Sequence, residues 1–198
     1  MQALYPHFAR IARGNKEKTI VFACRNGKKE VYYTGKMIYA RKEGLFLMKI
    51  ALACDPAGVV LKDAVTETLV EMGAEVTYFG IHENDTTRDY PVFALRAAKA
   101  VASGEYEKGI IICGTGVGIS MAANKVKGIR CCCCSDYYSA KMTRAHNDAN
   151  MLALGGRVIA PETAKTLVEV FMKTEFEGDR HQRRVDMLSM IEEGKDLE

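Results

Sequence analysis

From residue 48 onward, short β-branched apolar runs alternate with longer stretches in which apolar residues recur every three or four positions. "KIALACD", residues 49–55, has the density of a buried strand. "GVVLKDAVTETLVEMG" follows, with Val60, Leu61, Ala64, Val65, Thr68 and Leu69 at helical spacing and Gly73 as its stop. Residues 75–80 predict a second strand, and residues 89–105 a second helix whose Asp89-Tyr90-Pro91 start puts proline in the first turn. "GIIICG", residues 109–114, is apolar without a break, as in a strand covered on both faces. A third helix is predicted to begin among the glycines that follow and run through 126, with a fourth strand over 129–134 and a fourth helix over 136–148. A short fifth strand within 149–159, a fifth helix over 161–176 and a terminal helix over 181–195 complete the pattern. This alternation predicts one α/β domain: a Rossmann-like, doubly wound, five-stranded parallel sheet with helices on both faces and a C-terminal helix.

Composition narrows the setting. At 198 residues, with 48% hydrophobic and 27% charged, the chain suits one soluble globular domain. No apolar run approaches the roughly 20 residues that span a bilayer, and the start lacks the charged-then-apolar pattern of a secretory signal. Seven cysteines without extracellular spacing predict free thiols in a reducing cytoplasm.

The net charge of +3 conceals a division, because residues 1–47 hold ten Lys and Arg against three acids. Such a leader raises the possibilities of a nucleic-acid arm or a transit peptide. Its content argues against both: "TIVFACRNGKKEVYYTG" is two β-prone runs around Asn26-Gly27, a hairpin signal. Lys42-Glu43-Gly44 can be encoded by a purine-rich ribosome-binding sequence shortly before Met48, where the regular pattern starts. Residues 1–47 are therefore expected to be a basic extension outside the core, with Met48 as the native start and 48–198 as the functional domain. No partnership with nucleic acid or membrane is expected.

The glycine-rich loop after the third strand is the candidate for chemistry. "ICGTGVGIS" places Cys113 at a strand end, with Gly114, Gly116 and Gly118 opening the next helix. Ile119 stands where the dinucleotide fingerprint wants its third glycine, and the lysine of a phosphate-binding Walker loop is missing. What remains is a thiol beside a row of backbone N–H groups at a helix start, a setting that favours negative charge. Such a thiol can act as the base next to a carbonyl while the amides hold the enediolate. It can equally be a buried structural cysteine, and the loop alone leaves both readings open.

Three longer stretches extend the picture. "ICGTGVGISMAANKVKGIR", "RAHNDANMLALGGRVI" and "FEGDRHQRRVDML" closely resemble the sugar-phosphate isomerase family of type-B ribose-5-phosphate and galactose-6-phosphate isomerases, in unbroken order over about residues 48–192. The resemblance implies an aldose–ketose isomerase, active without metal or other cofactor, as a homodimer or homotetramer with its site at the subunit interface. It implies that Cys113 moves a proton between C2 and C1 through an enediolate, that Thr115 and the amides of Gly114, Gly116 and Gly118 stabilise that intermediate, and that His146 opens the sugar ring. Asp55 and Asn147 are implied to bind sugar oxygens, and Arg180 and Arg184 the phosphate, with Arg157 as a third candidate and His181 as a weaker one.

One position departs from the family's pattern. Ribose-phosphate members carry Asp-His where this chain has Asp55-Pro56, and proline has no side-chain donor. Ribose 5-phosphate therefore shares the substrate expectation with a galactose- or allose-type hexose 6-phosphate. A non-catalytic sugar-phosphate-binding subunit of a hetero-oligomeric isomerase is the alternative of another class. The run Cys131–Cys134 lacks metal-ligand spacing and would alternate faces in a strand, so it is expected to fill the sheet with buried thiols. Arg144 is expected to face solvent or a neighbouring chain.

Overall fold

The computed structural model describes residues 48–197 in full, preceded by the backbone of residues 21–25, 28–32 and 37–38. Chain order begins with β1 (Val21–Arg25), β2 (Lys28–Tyr32) and β3 (Met37–Ile38). It continues as β4 (Lys49–Cys54), α1 (Val59–Glu71), β5 (Glu75–Tyr78), α2 (Tyr90–Ala102), β6 (Lys108–Cys113) and α3 (Val117–Ala123). The last elements are β7 (Cys131–Cys133), α4 (Tyr137–Asn147), β8 (Met151–Gly155), α5 (Pro161–Lys173) and α6 (Arg180–Glu192). Among the described residues no helix is long and apolar enough to cross a membrane.

Five parallel strands form the predicted sheet, and β3 extends it by a two-residue antiparallel edge, giving the order β3-β5-β4-β6-β8-β7. β1 and β2 pair antiparallel with Arg25 opposite Lys28, the register that a two-residue connection demands. After β5 the chain crosses to the other side of β4 to make β6, so the winding reverses between β4 and β6. In open α/β sheets that reversal leaves a crevice at the carboxyl ends of the strands. Asp55 and Cys113 both stand there.

The continuous apolar run of β6 splits its side chains between two cores, as strand alternation requires. Ile110 and Ile112 join Leu61, Val65 and Leu69 of α1 and Leu167, Val168 and Phe171 of α5 on one face. Ile111 and Cys113 join Phe93, Ala94 and Ala97 of α2 and Ile119 of α3 on the other. Each fully buried isoleucine contributes about 2 kcal/mol by transfer from water. Gly73, with φ of +85°, ends α1 where the sequence pattern stops it.

Several expectations shift in detail. Val60 has helical spacing but is 61% exposed at the carboxyl edge, so Leu61 and Val65 carry the apolar face there. The fourth strand shortens to Cys131–Cys133, and the third helix begins within the glycine loop, at Val117, but ends at Ala123. Of the cysteine run, Cys131 and Cys134 are buried, Cys132 is half-buried and Cys133 is exposed. Arg144 is a correction: it is only 6% exposed. Its guanidinium donates to Asp148 Oδ1 at 2.8 Å and to the Ala149 carbonyl at 2.6 Å. Neither solvent nor a neighbouring chain is its setting, because the end of α4 needs its donors.

The loop from β5 to α2 crosses the carboxyl edge and is fixed by a charged pair. Arg96 donates to both oxygens of Asp85, at 2.8 and 3.3 Å, and the His82 amide adds a bond at 2.8 Å. The guanidinium hydrogen bonds, then the His82 amide, hold the Asp85 carboxyl down at about 2. Because this value lies below that of an unfolded aspartate, near 4, the stabilisation is complete above that pH and disappears as pH falls toward 2. Asp85→Asn is expected to cost about 1 kcal/mol near neutral pH, the pair being partly solvated. Thermal melts over a pH series should show the wild-type advantage shrinking from pH ~4 downward.

Candidate active site

Cys113 is the last residue of β6, 4% exposed, and its Sγ accepts a hydrogen bond from the Gly116 amide at 3.2 Å. Gly116 reaches this geometry with φ of +80°, the left-handed region glycine enters freely. A Cβ at Gly116 would stand 2.7 Å from Cys133 Sγ and 3.0 Å from the Leu154 carbonyl carbon, so the turn fits its walls only as glycine. The Cys133 thiol also lies 3.6 Å from the Thr115 carbonyl. Partial burial, then Cys113 and Cys132, push the Cys133 thiol upward, keeping it a protonated donor.

The turns after β6 and β8 are stitched together. The Gly156 amide donates to the Cys113 carbonyl at 2.8 Å, and the Arg157 amide to that of Gly114 at 2.9 Å. This brings the exposed Arg157 side chain over Gly114, where its Cδ and Cζ lie 3.7 Å from an ideal Cβ position. Thr115 projects outward, its Oγ1 accepting from the Val117 amide at 3.3 Å. Tyr90, at the start of α2, lays its ring on Gly118, so close that a Cβ there would meet ring carbon at 2.7 Å. Across the crevice Asp55 is buried and spends Oδ1 on the Gly58 amide at 2.8 Å. Cys113, Thr115, Gly114, Gly116, Gly118, Asp55 and Arg157 thus share the carboxyl edge.

The remaining predicted residues lie elsewhere. α4 leaves the carboxyl end of β7 and ends at Asn147, shortly before β8 starts at the amino edge. The amino end is fixed by register: Gly109 pairs with Met151, and its amide donates to the Asn150 carbonyl at 2.9 Å. Four residue steps along β6 separate Gly109 from Cys113, about 13 Å at ~3.3 Å per residue. His146, Asn147, Arg180 and Arg184 therefore form a second group on the opposite edge of the same chain. Arg157 is separated with the first group and does not join Arg180 and Arg184.

In this second group the imidazoles of His146 and His181 stack with centroids 4.1 Å apart and planes 5° from parallel. Glu177 Oε2 lies 3.6 Å from His146 Nε2 and 3.5 Å from His181 Nε2. Arg180 Nε donates to His181 Nε2 at 3.3 Å. Burial first, then the His146 ring and Arg180, hold His181 below the usual histidine range. The two imidazoles and the carboxylate are close enough to suggest a cation site, their ligand atoms lying within 4.8 Å of one another. Two parallel rings, however, direct their Nε2 lone pairs side by side rather than at one point, and Arg180 already engages one of them. Arg180 and Arg184 are both exposed on the first turns of α6, sharing a face as their spacing predicts.

Three contributors were not among the expected site residues. Tyr90 covers Gly118. Asp148 caps α4 in the left-handed region, with φ of 45°, and binds Arg130 and Arg144 at 2.7 and 2.8 Å. Glu177 faces His146, and its only local signal is an acid four residues before His181.

A parallel α/β sheet with a thiol, oriented amides and a carboxylate at its switch point is the layout of an enzyme for small polar molecules. A sequence model of the Ribose/Galactose Isomerase family matches residues 50–188. Ribose-5-phosphate isomerase B of Escherichia coli (strain K12) is 49% identical over 147 residues, 74% of this chain and 98% of that protein. The structure of Clostridium thermocellum ribose-5-phosphate isomerase B superposes with a TM-score of 0.71 at 49% identity, covering 74% of this chain and 99% of that one. That of the Mycoplasma genitalium ribose-5-phosphate isomerase B with bound ribulose-5-phosphate gives 0.69 at 38% identity, covering 73% and 96%. The chain belongs to the Ribose/Galactose Isomerase family and is, by that membership, an isomerase.

The two glycines flanking Thr115 provide a test of the turn. Gly116→Ala should cost about 2 kcal/mol or more, from the left-handed backbone and the collision with Cys133. Gly114→Ala meets only ordinary contacts at 3.6 and 3.7 Å and should leave the thermal midpoint nearly unchanged. Paired melting curves check both.

Proposed function

We propose that this isomerase interconverts a phosphorylated aldose and its ketose, ribose 5-phosphate and ribulose 5-phosphate, through a cis-enediolate. The observation that carries the reading is the Gly116 amide aimed at Cys113 Sγ from 3.2 Å, at the mouth of the switch-point crevice. That amide fixes the direction of the sulfur, and a thiolate at a sugar's C2 can remove the hydrogen there and return it at C1. The exchangeable proton moves from O2 to O1, so the product differs from the substrate only in where its hydrogens lie. The Thr115 hydroxyl and the turn amides would meet the negative charge that forms on these oxygens. Asp55 keeps one carboxylate oxygen for a sugar hydroxyl, since the other is bound to Gly58. The named relatives are ribose-5-phosphate isomerases, one of them with ribulose-5-phosphate bound, which supports the choice of substrate.

The second group supplies the other half. His146 would open the cyclic aldose, Asn147 would hold a sugar oxygen, and Arg180 and Arg184 would clamp the phosphate. A phosphate dianion matches two guanidiniums one helical turn apart. Since the groups occupy opposite edges of one chain, we infer that a second copy completes each site, its His146 facing the first copy's Cys113. Exposed apolar side chains around the crevice, including Val59, Val60, Val117, Met121 and Val158, give that copy a surface to cover. Residues 48–198 are read as the catalytic unit.

A hexose 6-phosphate is the second reading, and Pro56 favours it. Proline in the turn between Asp55 and Gly58 offers a ligand no side-chain donor, and a longer sugar can fill the space a histidine would need. Assays of the purified protein on ribose, allose and galactose phosphates should give the highest kcat/KM with ribose 5-phosphate; a preference for a hexose phosphate would reassign the substrate.

Cys113→Ala should abolish turnover while the melting curve stays close to that of the wild type; substantial residual activity would remove the thiol mechanism. Neither Cys113→Ala nor His146→Ala should be active alone. Mixed and allowed to exchange subunits, they should recover about a quarter of wild-type activity, as half the dimers carry one intact site. A mixture that stays inactive after exchange would contradict the shared site.

A further inference from the structure

Glu177 lies in the segment between α5 and α6, and none of the expected roles includes it. Its amide donates to the Ala145 carbonyl at 3.0 Å, fastening this segment to the last turn of α4. Its carboxylate is then delivered to two imidazoles at once, at 3.6 and 3.5 Å. The chemistry of these rings shows which one it serves.

His181 is committed elsewhere. It is 3% exposed, and burial, then the His146 ring and Arg180, disfavour its charged form by more than Glu177 favours it. A neutral imidazole has one acceptor nitrogen, and Arg180 donates to Nε2; this places the proton of His181 on Nδ1, which is buried without a hydrogen-bond partner among the described residues. Its Nε2 therefore has no hydrogen to offer Glu177. His146 is half-exposed and stacked against that fixed ring, with Nε2 toward the carboxylate. A side-chain rotation closing under about 1 Å makes a hydrogen bond from His146 Nε2–H to Glu177. Arg180 and Arg184 on α6 are the positive charges that act on this pair of rings.

We propose that Glu177 is the positioning residue of His146, fixing the proton on Nε2 so that Nδ1 is the nitrogen that works on the sugar. A carboxylate that sets the tautomer and orientation of a working imidazole is a general arrangement. The inference rests on the reading of His146 as the ring opener. In that step Nδ1 takes the proton of the C1 hydroxyl as C1 becomes a carbonyl. It passes that proton to the ring oxygen as the bond from C1 to that oxygen breaks, so the imidazole ends as it began. During the step the imidazole passes between charged and neutral forms, and Glu177 keeps its Nε2 proton in place throughout.

The two sugars separate this role from a structural one. Ribulose 5-phosphate has its 5-hydroxyl blocked by phosphate and stays open-chain, whereas ribose 5-phosphate is cyclic. Glu177→Gln should lower kcat for ribose 5-phosphate by about tenfold to a hundredfold, with KM changed less than about twofold. Exchange of the C1 hydrogen of ribulose 5-phosphate with deuterated solvent, followed by NMR, needs Cys113 but no ring opening and should stay within about twofold of wild type. A parallel fall in both measurements would assign Glu177 a structural role, and no fall in either would remove it from the mechanism. A wild-type protein that neither isomerises nor exchanges would instead overturn the functional reading itself.

Discussion

In a parallel sheet, a helix that follows a strand must carry the chain back to the edge where that strand began. This constraint governs where chemistry can collect in the protein. Residues at strand ends, Asp55 and Cys113 with the turns beyond them, gather at the carboxyl edge. Residues at helix ends, His146 and Asn147, are delivered to the amino edge with equal necessity. The division of the candidate site is thus a direct result of the crossover connections that parallel strands require, and no local rearrangement of loops could bring the two groups together within one chain.

The carboxyl edge shows how little space the turn chemistry has. Cys113, Gly116, Cys133 and Gly155 are fitted to one another: a Cβ on Gly155 would come within 2.8 Å of Thr115 backbone atoms, and one on Gly116 would strike Cys133. The amide directed at Cys113 is held by this packing rather than by a long helix, since α3 has only seven residues. The cysteine run consequently has a more specific place than filling the sheet. Cys133, reached by alternation from Cys131 on the same face, forms one wall of the turn.

The order of strands and helices from residue 48 onward is legible in the sequence because buried strands and amphipathic helices have distinct periods. Edges are less legible: Met37–Ile38 joins the sheet through a two-residue pairing too short to leave a period. The strand-end residues of the site are readable for the same reason as the strands, since the end of "GIIIC" is visible. His146 and the arginines are readable as motif members only, because their meeting depends on how α4 and α6 pack. Glu177 is harder still, because its distance to His146 is set by the turn between α5 and α6 and not by any repeat. Arg144 marks the opposite failure: a charged residue near a helix end suggests solvent, yet the Asp148 carboxylate and the Ala149 carbonyl just beyond α4 draw it inside.

That inward turn of Arg144 bears on how two copies would meet. Its guanidinium spans Asp148 and the Ala149 carbonyl, while Arg130 grips Asp148 and the Asn147 carbonyl from the other side. The end of α4 is therefore rigid before any second chain arrives. Side chains and backbone ordered in advance lose little freedom on association, and that loss is what ordinarily weakens a contact built from polar groups. On the proposed reading, a modest apolar rim would be enough to join two such rigid halves, and the geometry of the joined site would be inherited from each chain's own fold.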